Sequence, residues 1–217
     1  MIRAIFFDFD GTISDTHAFI SETLIEILEK EEYFLESKIN SLIGEKIQHI
    51  LKELGITRDI EKIRKRFYSL LIQRVKKVKL RPCVPLKPLI KLSKLYLLVV
   101  ISNAETDFVK IQAKQLGIEK LFKELHGAET FETKDQIMKH LFKKYKLNPR
   151  EVVYIGDRFS DVRYAKSAGC WAVAIHNKSS WSSRKLIKSE HPDFIVKDFH
   201  ELEKVVRKIN NEQTKSS

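Results

Sequence analysis

At 217 residues, 43% of them hydrophobic and 32% charged, the chain has enough apolar material for a full core and length for a larger and a smaller domain. No apolar run is long enough to span a bilayer, and the start lacks the charged-then-apolar layout of a signal peptide, so a cytosolic protein without membrane contact is expected. The two cysteines and seven histidines form no ligand-spaced cluster, which argues against a zinc site and a disulfide framework; any metal must be held by oxygen, favouring Mg²⁺.

The net charge of +11 is unevenly spread. Lys and Arg dominate residues 58–81, and Asp and Glu dominate residues 15–57. Blocks of opposite sign on neighbouring helices pair with each other or face water more often than they bind nucleic acid. A nucleic acid partner is therefore not expected, and the basic surplus is read as steering anionic substrates. Nothing in length or charge sets an oligomeric state.

In chain order, Ala4-Ile5-Phe6-Phe7 reads as a buried strand that delivers Asp8 and Asp10 into the turn Gly11-Thr12. Side chains alternate along a strand, so both carboxylates emerge on one side with Phe9 turned into the core. Two acids this close repel unless a cation sits between them; the alternative is a loop pair that caps the next helix. Residues 16–81 carry helical periodicity and no strand, with Ile20, Leu24, Ile27 and Leu28 on one face and Ile47, Ile50, Leu51 and Leu54 on another. A longer helix carries Ile60, Ile63, Phe67, Leu70, Leu71 and Val75, and the proline-marked run from Pro82 to Pro88 reads as a return linker.

Beyond it strands and helices alternate. A strand from Leu97 to Ile101 ends in Ser102-Asn103, donors suited to phosphate oxygens. A helix over Asp107–Leu116, a short strand over Leu125–Ala128 and a helix over Asp135–Tyr145 follow. The strand Val152 to Ile155 then ends in Gly156-Asp157, with Asp161 at the start of a further helix, where it orients a metal site's neighbours or serves only as an N-cap. Strands near 171–175 and 194–196 and a last helix over 199–209 complete the pattern. Such alternation predicts a parallel sheet with helices on both faces. Residues 210–217 read as a polar, disordered tail. Trp181 lies in a serine-rich loop as a partly buried anchor.

Asp8-Phe9-Asp10-Gly11-Thr12, Ser102-Asn103, Lys134 and Gly156-Asp157-(x)3-Asp161 together resemble the four ordered motifs of the haloacid dehalogenase-like hydrolase superfamily, over nearly the whole chain. The helical insert is similar to the small cap of its phosphoglycolate phosphatase and β-phosphoglucomutase branch. The resemblance implies an α/β fold: a Rossmann-like parallel core from residues 1–15 and 82–209, with an all-helical cap domain inserted as residues 16–81. It also implies that Asp8 is a nucleophile forming an aspartyl-phosphate and that Asp10 is the general acid, then the base. Mg²⁺ would be held by Asp8, the backbone carbonyl of Asp10, and Asp157. Ser102 and the Asn103 amide would take the phosphoryl oxygens, Lys134 would offset their charge, and Asp161 would support Lys134 or the metal's surroundings. The family often follows this lysine with prolines, which Asp135-Gln136 do not supply, and Lys120, Lys123 and Lys139 lie nearby.

Substrate choice falls to the cap, where His17 and the loop Gly44-Glu45-Lys46 are candidates, Lys46 as a contact for an anionic substrate tail. The expected activity is a Mg²⁺-dependent phosphatase of a small phosphorylated metabolite, similar to phosphoglycolate phosphatase. The alternatives are a sugar phosphomutase of the β-phosphoglucomutase type and a basic nucleic-acid or partner-binding module with a vestigial site.

Overall fold

The computed structural model describes residues 1–30, 39 and 42–215. The first strand, β1 (Ala4–Phe7), is buried along its whole length, and an unbroken apolar run of this kind fits a sheet covered on both faces. It pairs in parallel with β2 (Leu97–Ile101) on one side and β4 (Val152–Gly156) on the other. With β3 (Glu124–His126), β5 (Trp171–Ile175) and β6 (Phe194–Val196) they form a six-stranded sheet in the order β3-β2-β1-β4-β5-β6, every pairing parallel. Strand order reverses around β1, and the crevice outside the carboxyl ends at such a reversal is where open α/β sheets bind ligands.

The pleat divides the core in two. Ile5, Phe7, Leu98, Val100, Val153 and Ile155 pack on one face against α4 (Lys87–Ser93), α5 (Thr106–Gln115) and α9 (Phe199–Lys215). Ala4, Phe6, Val99, Ile101 and Tyr154 pack on the other against α6 (Lys134–Lys144), α7 (Phe159–Ala168) and α8 (Arg184–Ser189). Extending the alternation past Phe7 sends Phe9 into the first layer and leaves Asp8 and Asp10 on the opposite side.

Between β1 and α4 lie α1 (His17–Lys30), α2 (Ile47–Glu53) and α3 (Ile60–Val75). They share their own apolar core, including Leu24, Ile27, Leu51, Ile63 and Leu71, which also takes in Phe108 of α5. The chain enters and leaves this layer side by side, the Asp15 amide donating to the Arg81 carbonyl at 3.0 Å and the Cys83 amide to Ile13 at 2.9 Å. The two charge blocks meet where Arg74 pairs with Glu26 and also donates to Thr23 at 2.7 Å; Arg64 instead pairs within its own helix with Glu61 and across to Glu105 of the core. No described helix is long and apolar enough to cross a membrane.

Two expectations are corrected. The third strand is Glu124–His126, ahead of the expected Leu125–Ala128, because Ala128–Thr130 coils into a 3₁₀ turn closed by Thr130 on the Gly127 carbonyl. Of the tail expected over residues 210–217, the described part, 210–215, is helical: α9 continues to Lys215. Asn210 Oδ1 accepts from the Ile2 amide, and Gln213 donates to the Arg150 carbonyl at 3.0 Å, so the polar side chains that suggested fraying dock the helix end.

Candidate active site

The carboxyl ends of β1, β2 and β4 present Asp8 and Asp10, Ser102, and Asp157 to one crevice. From the side, α6 directs Lys134 into it. Its Nζ donates to Asp8 Oδ1 and Asp161 Oδ1, each at 2.7 Å, and to the Tyr154 hydroxyl at 2.9 Å. Asp161 also accepts from Tyr154 at 3.0 Å and, through its other oxygen, from the Arg158 amide at 3.1 Å. Thr12 Oγ1 donates to Asp8 at 3.1 Å and lies 3.3 Å from Asp157 Oδ1, while the Trp181 amide donates to Asp157 Oδ2. Of the lysines near this helix in sequence, Lys139 pairs with Asp135 at 3.0 Å, and Lys120 and Lys123 are exposed.

Asp8, Asp157 and Asp161 are buried, and each offers an oxygen within 4.8 Å of the others. Three carboxylates face one ammonium, so negative charge is in excess. Burial, partly offset by Lys134, pushes Asp8 up to about 7. Burial and then the charges of Asp8 and Asp161 raise Asp157 well above the usual carboxylate range. For Lys134 burial works the other way, but Asp161 and Asp8 outweigh it and hold the ammonium charged.

This donor set fits a hard divalent cation. Carboxylate oxygens suit Mg²⁺, and a cation would relieve the charge excess that burial makes costly. The Gly11 turn permits the approach: its φ is +84°, and a Cβ there would lie 2.6 Å from Asp157 Oδ2, so only glycine leaves that space open. Two ligands expected from sequence, Asp8 and Asp157, share the cluster, and Asp161 adds a further carboxylate oxygen; the third expected ligand is the Asp10 backbone carbonyl, and the Asp10 carboxylate lies outside the cluster.

Asp10 is held in a separate, neutral nest. It accepts from Thr16 at 2.7 Å, from Gln112 Nε2 at 3.1 Å and from Ser102 Oγ at 3.3 Å. Burial raises its pKa against the pull of these donors. Thr16 and Ser102 hydroxyls rotate to donate or accept, so the nest accommodates either protonation state. Ser102 itself accepts from the Ala104 amide at 3.0 Å.

A cavity of about 40 Å³ leads from Asp8, Asp10 and Ser102 up into the cap, room for about three waters. Cap and core are tied around it. Asn103 Nδ2 donates to the Gly44 carbonyl at 2.9 Å, and Arg158 pairs with Glu45 at 2.8 Å. The Trp181 ring lies between the two layers: a Cβ on Gly11 would meet its Nε1 at 2.7 Å, and one on Gly44, whose φ is +96°, its Cε3 at 2.7 Å.

The two cap residues expected to contact substrate stand elsewhere. Lys46 is buried, donating to the Ala128 carbonyl at 2.6 Å and to the Phe131 carbonyl, and does not line the cavity. A buried ammonium needs fixed acceptors, and the core's carbonyls supply them. His17 packs edge-on to Trp181, ring centroids 5.3 Å apart, and likewise does not line the cavity. Sequence reading gave no role to Gln112, Tyr154 or Arg158. Tyr154 and Arg158 lie within or beside the fourth motif and were open to suspicion there; Gln112 sits mid-helix and carried no such signal.

The family model of the haloacid dehalogenase-like hydrolases matches residues 5–175. The chain belongs to this family. A haloacid dehalogenase-like hydrolase from Streptococcus pneumoniae superposes with a TM-score of 0.80 at 21% identity, covering 94% of this chain and 98% of that one. A β-phosphoglucomutase from Clostridium difficile superposes at 0.78 with 17% identity, over 99% of this chain and 100% of that one; at such identities the likeness is one of fold. A phosphoglycolate phosphatase from Mannheimia succiniciproducens is 31% identical over 114 residues, 51% of this chain and 50% of the relative. The chain thus spans about half the length of the curated relatives it matches.

Proposed function

We propose that this haloacid dehalogenase-like hydrolase is a Mg²⁺-dependent phosphatase that cleaves a small phosphate monoester through an aspartyl-phosphate on Asp8. The supporting observation is the division of labour between two carboxylates two residues apart. Asp8 is locked by Lys134 and Thr12 in a charged cluster, whereas Asp10 sits among neutral donors with a raised pKa. Paired carboxyl groups in such different surroundings are suited to different roles.

Asp8 attacks phosphorus through a carboxylate oxygen, with Lys134 on Oδ1 and Thr12 on Oδ2 fixing the orientation of the group. The bond to the leaving oxygen breaks, and Asp10 gives its proton to the departing alcohol. In the second step Asp10 takes a proton from water as the water attacks phosphorus. The bond to Asp8 then breaks and inorganic phosphate leaves. Covalent capture splits one difficult displacement into two, and acid-base help of this kind contributes about 10²- to 10⁴-fold. Asp8, Asp157 and Asp161, with the Asp10 carbonyl as the family resemblance implies, would hold Mg²⁺, which supplies charge stabilisation to the phosphoryl group. Lys134 adds fixed positive charge, and Ser102 lies within reach of the same oxygens. A closed cap excludes water and favours a protonated Asp10.

The test is a screen of phosphorylated metabolites with and without Mg²⁺, with Asp8→Asn as control. Mg²⁺-dependent release of phosphate that Asp8→Asn abolishes is expected; turnover by Asp8→Asn at the wild-type rate overturns the assignment. Phosphoryl return to substrate in place of release to water would instead identify a mutase.

A further inference from the structure

The wall of the cavity that rises from Asp8 and Asp10 is apolar. Ile20 of α1, Ile47 and Ile50 of α2, Phe67 and Leu71 of α3 and Phe108 of α5 line it. Tyr68 adds an aromatic face, its ring 5.1 Å from Phe67 and 6.3 Å from Phe108. Among the described residues, every cation near this space is committed. Arg158 lines it but is bonded to Glu45 at 2.8 Å, and Lys46 is turned away onto the Ala128 and Phe131 carbonyls. The polar donors that the wall itself adds are neutral, among them Trp181 Nε1, buried and unbonded, and the Tyr68 hydroxyl. With Arg158 and Glu45 paired to each other, the remaining charge at the cavity is that of Asp8 and Asp10 at its base, and it is negative.

On the reading of this site as a phosphatase, we propose that the cavity receives the leaving group, and that the enzyme selects phosphate monoesters of uncharged, largely apolar alcohols, aryl or short alkyl, over esters carrying a second anion. A carboxylate or second phosphate placed among these side chains would lose its hydration and meet no free cation among the described residues. An apolar group fills the space with favourable contacts and displaces water that the wall holds poorly. Discrimination against a hydroxylated alcohol is expected to be weaker, because an apolar pocket rejects an added hydroxyl only modestly.

The experiment compares kcat/KM, with Mg²⁺, for two pairs that differ in one carboxylate: ethyl phosphate against phosphoglycolate, and phenyl phosphate against 4-carboxyphenyl phosphate. Acetyl phosphate, whose small leaving group asks little of the cap, is measured alongside with Asp8→Asn as its control. The uncharged member of each pair should be favoured by about 10²-fold, and Ile20→Lys should narrow both ratios. Should Ile20→Lys fail to fold by circular dichroism, the wild-type ratios decide alone. If acetyl phosphate is hydrolysed in an Asp8-dependent way but the carboxylated esters are used equally well or better, the selectivity is overturned while the phosphatase reading stands. If acetyl phosphate and every ester are inert, the phosphatase reading fails and the selectivity with it.

Discussion

The floor and the roof of the crevice are built on opposite principles. The floor is charged and densely cross-bonded: Lys134 bridges Asp8 and Asp161, and Tyr154 and Thr12 close the gaps, with Asp8 and Tyr154 on or beside buried parallel strands and Lys134 and Asp161 in the first turns of α6 and α7. The roof is apolar, fastened to the core by side-chain contacts at residues 44–46, by the Arg64–Glu105 pair, by Gln115 on the Val75 carbonyl and by Phe108 packed into its apolar cluster. Charged groups that must hold one geometry need a rigid frame, whereas a surface that sorts leaving groups needs shape and the means to open. Chemistry therefore belongs to the sheet edge and selectivity to the insert.

The difference is sharpest at Asp8. Asp8→Asn should lower turnover by at least about 10⁴-fold with no loss of thermal stability, because a like charge leaves a crowded cluster. Asp10→Asn should cost about 10²- to 10⁴-fold and leave a hydroxylamine-sensitive phosphoryl adduct on the protein, detectable by mass spectrometry. Equal kinetics and no adduct would erase the distinction between the two carboxylates.

Lys134→Met leaves buried carboxylates without their counter-ion and should destabilise the fold by about 3–5 kcal/mol, a loss that Mg²⁺ partly restores; denaturant melts with and without the ion measure both. The floor should also respond to pH. Asp8 is raised to about 7, so the folded, metal-free protein binds its proton more tightly than the unfolded chain does. Metal-free stability should therefore rise as pH falls from 8 to 6 and be lost as pH climbs through about 7. Mg²⁺ competes with that proton, so its stabilising effect should be largest above pH 7. Melting temperatures in Mg²⁺ and in chelator at pH 6, 7 and 8 test this; a metal-free curve that falls on acidification over this range would contradict it.

The smallest effect is expected in the roof. Glu45→Gln takes the charge from the partner of the buried Arg158 but leaves it an acceptor oxygen, and should cost about 1 kcal/mol of stability. Amide exchange at residues 44–46 should quicken by up to about fivefold, while β1 and β4 stay protected. Global acceleration would mean that roof and floor do not open separately.

Much of the floor was legible in the sequence because buried strands announce themselves as unbroken apolar runs and their tips as abrupt polar residues. That is why Asp8, Asp10, Ser102 and Asp157 stand out along the chain. Lys134 stood out less, since exposed lysines surround it and only burial separates it from Lys139. Gln112 was invisible: one amide in an amphipathic helix looks like a solvent-facing position until α5 is laid against β1. Lys46 misled for the converse reason. A cation in a cap loop reads as a ligand for an anion, and no pattern in one dimension shows that two backbone carbonyls of the core lie within its reach.

The sequence by itself determined the parallel α/β core, the helical insert and the acidic strand tips, because alternation, periodicity and punctuation are local properties that backbone sterics and burial convert directly into elements. Only the tertiary structure decided which carboxylates share a cluster, which lysine neutralises them and that the space above them is apolar. Those are relations between residues as far apart as Asp8 and Lys134, and they exist only once the sheet and the cap have packed.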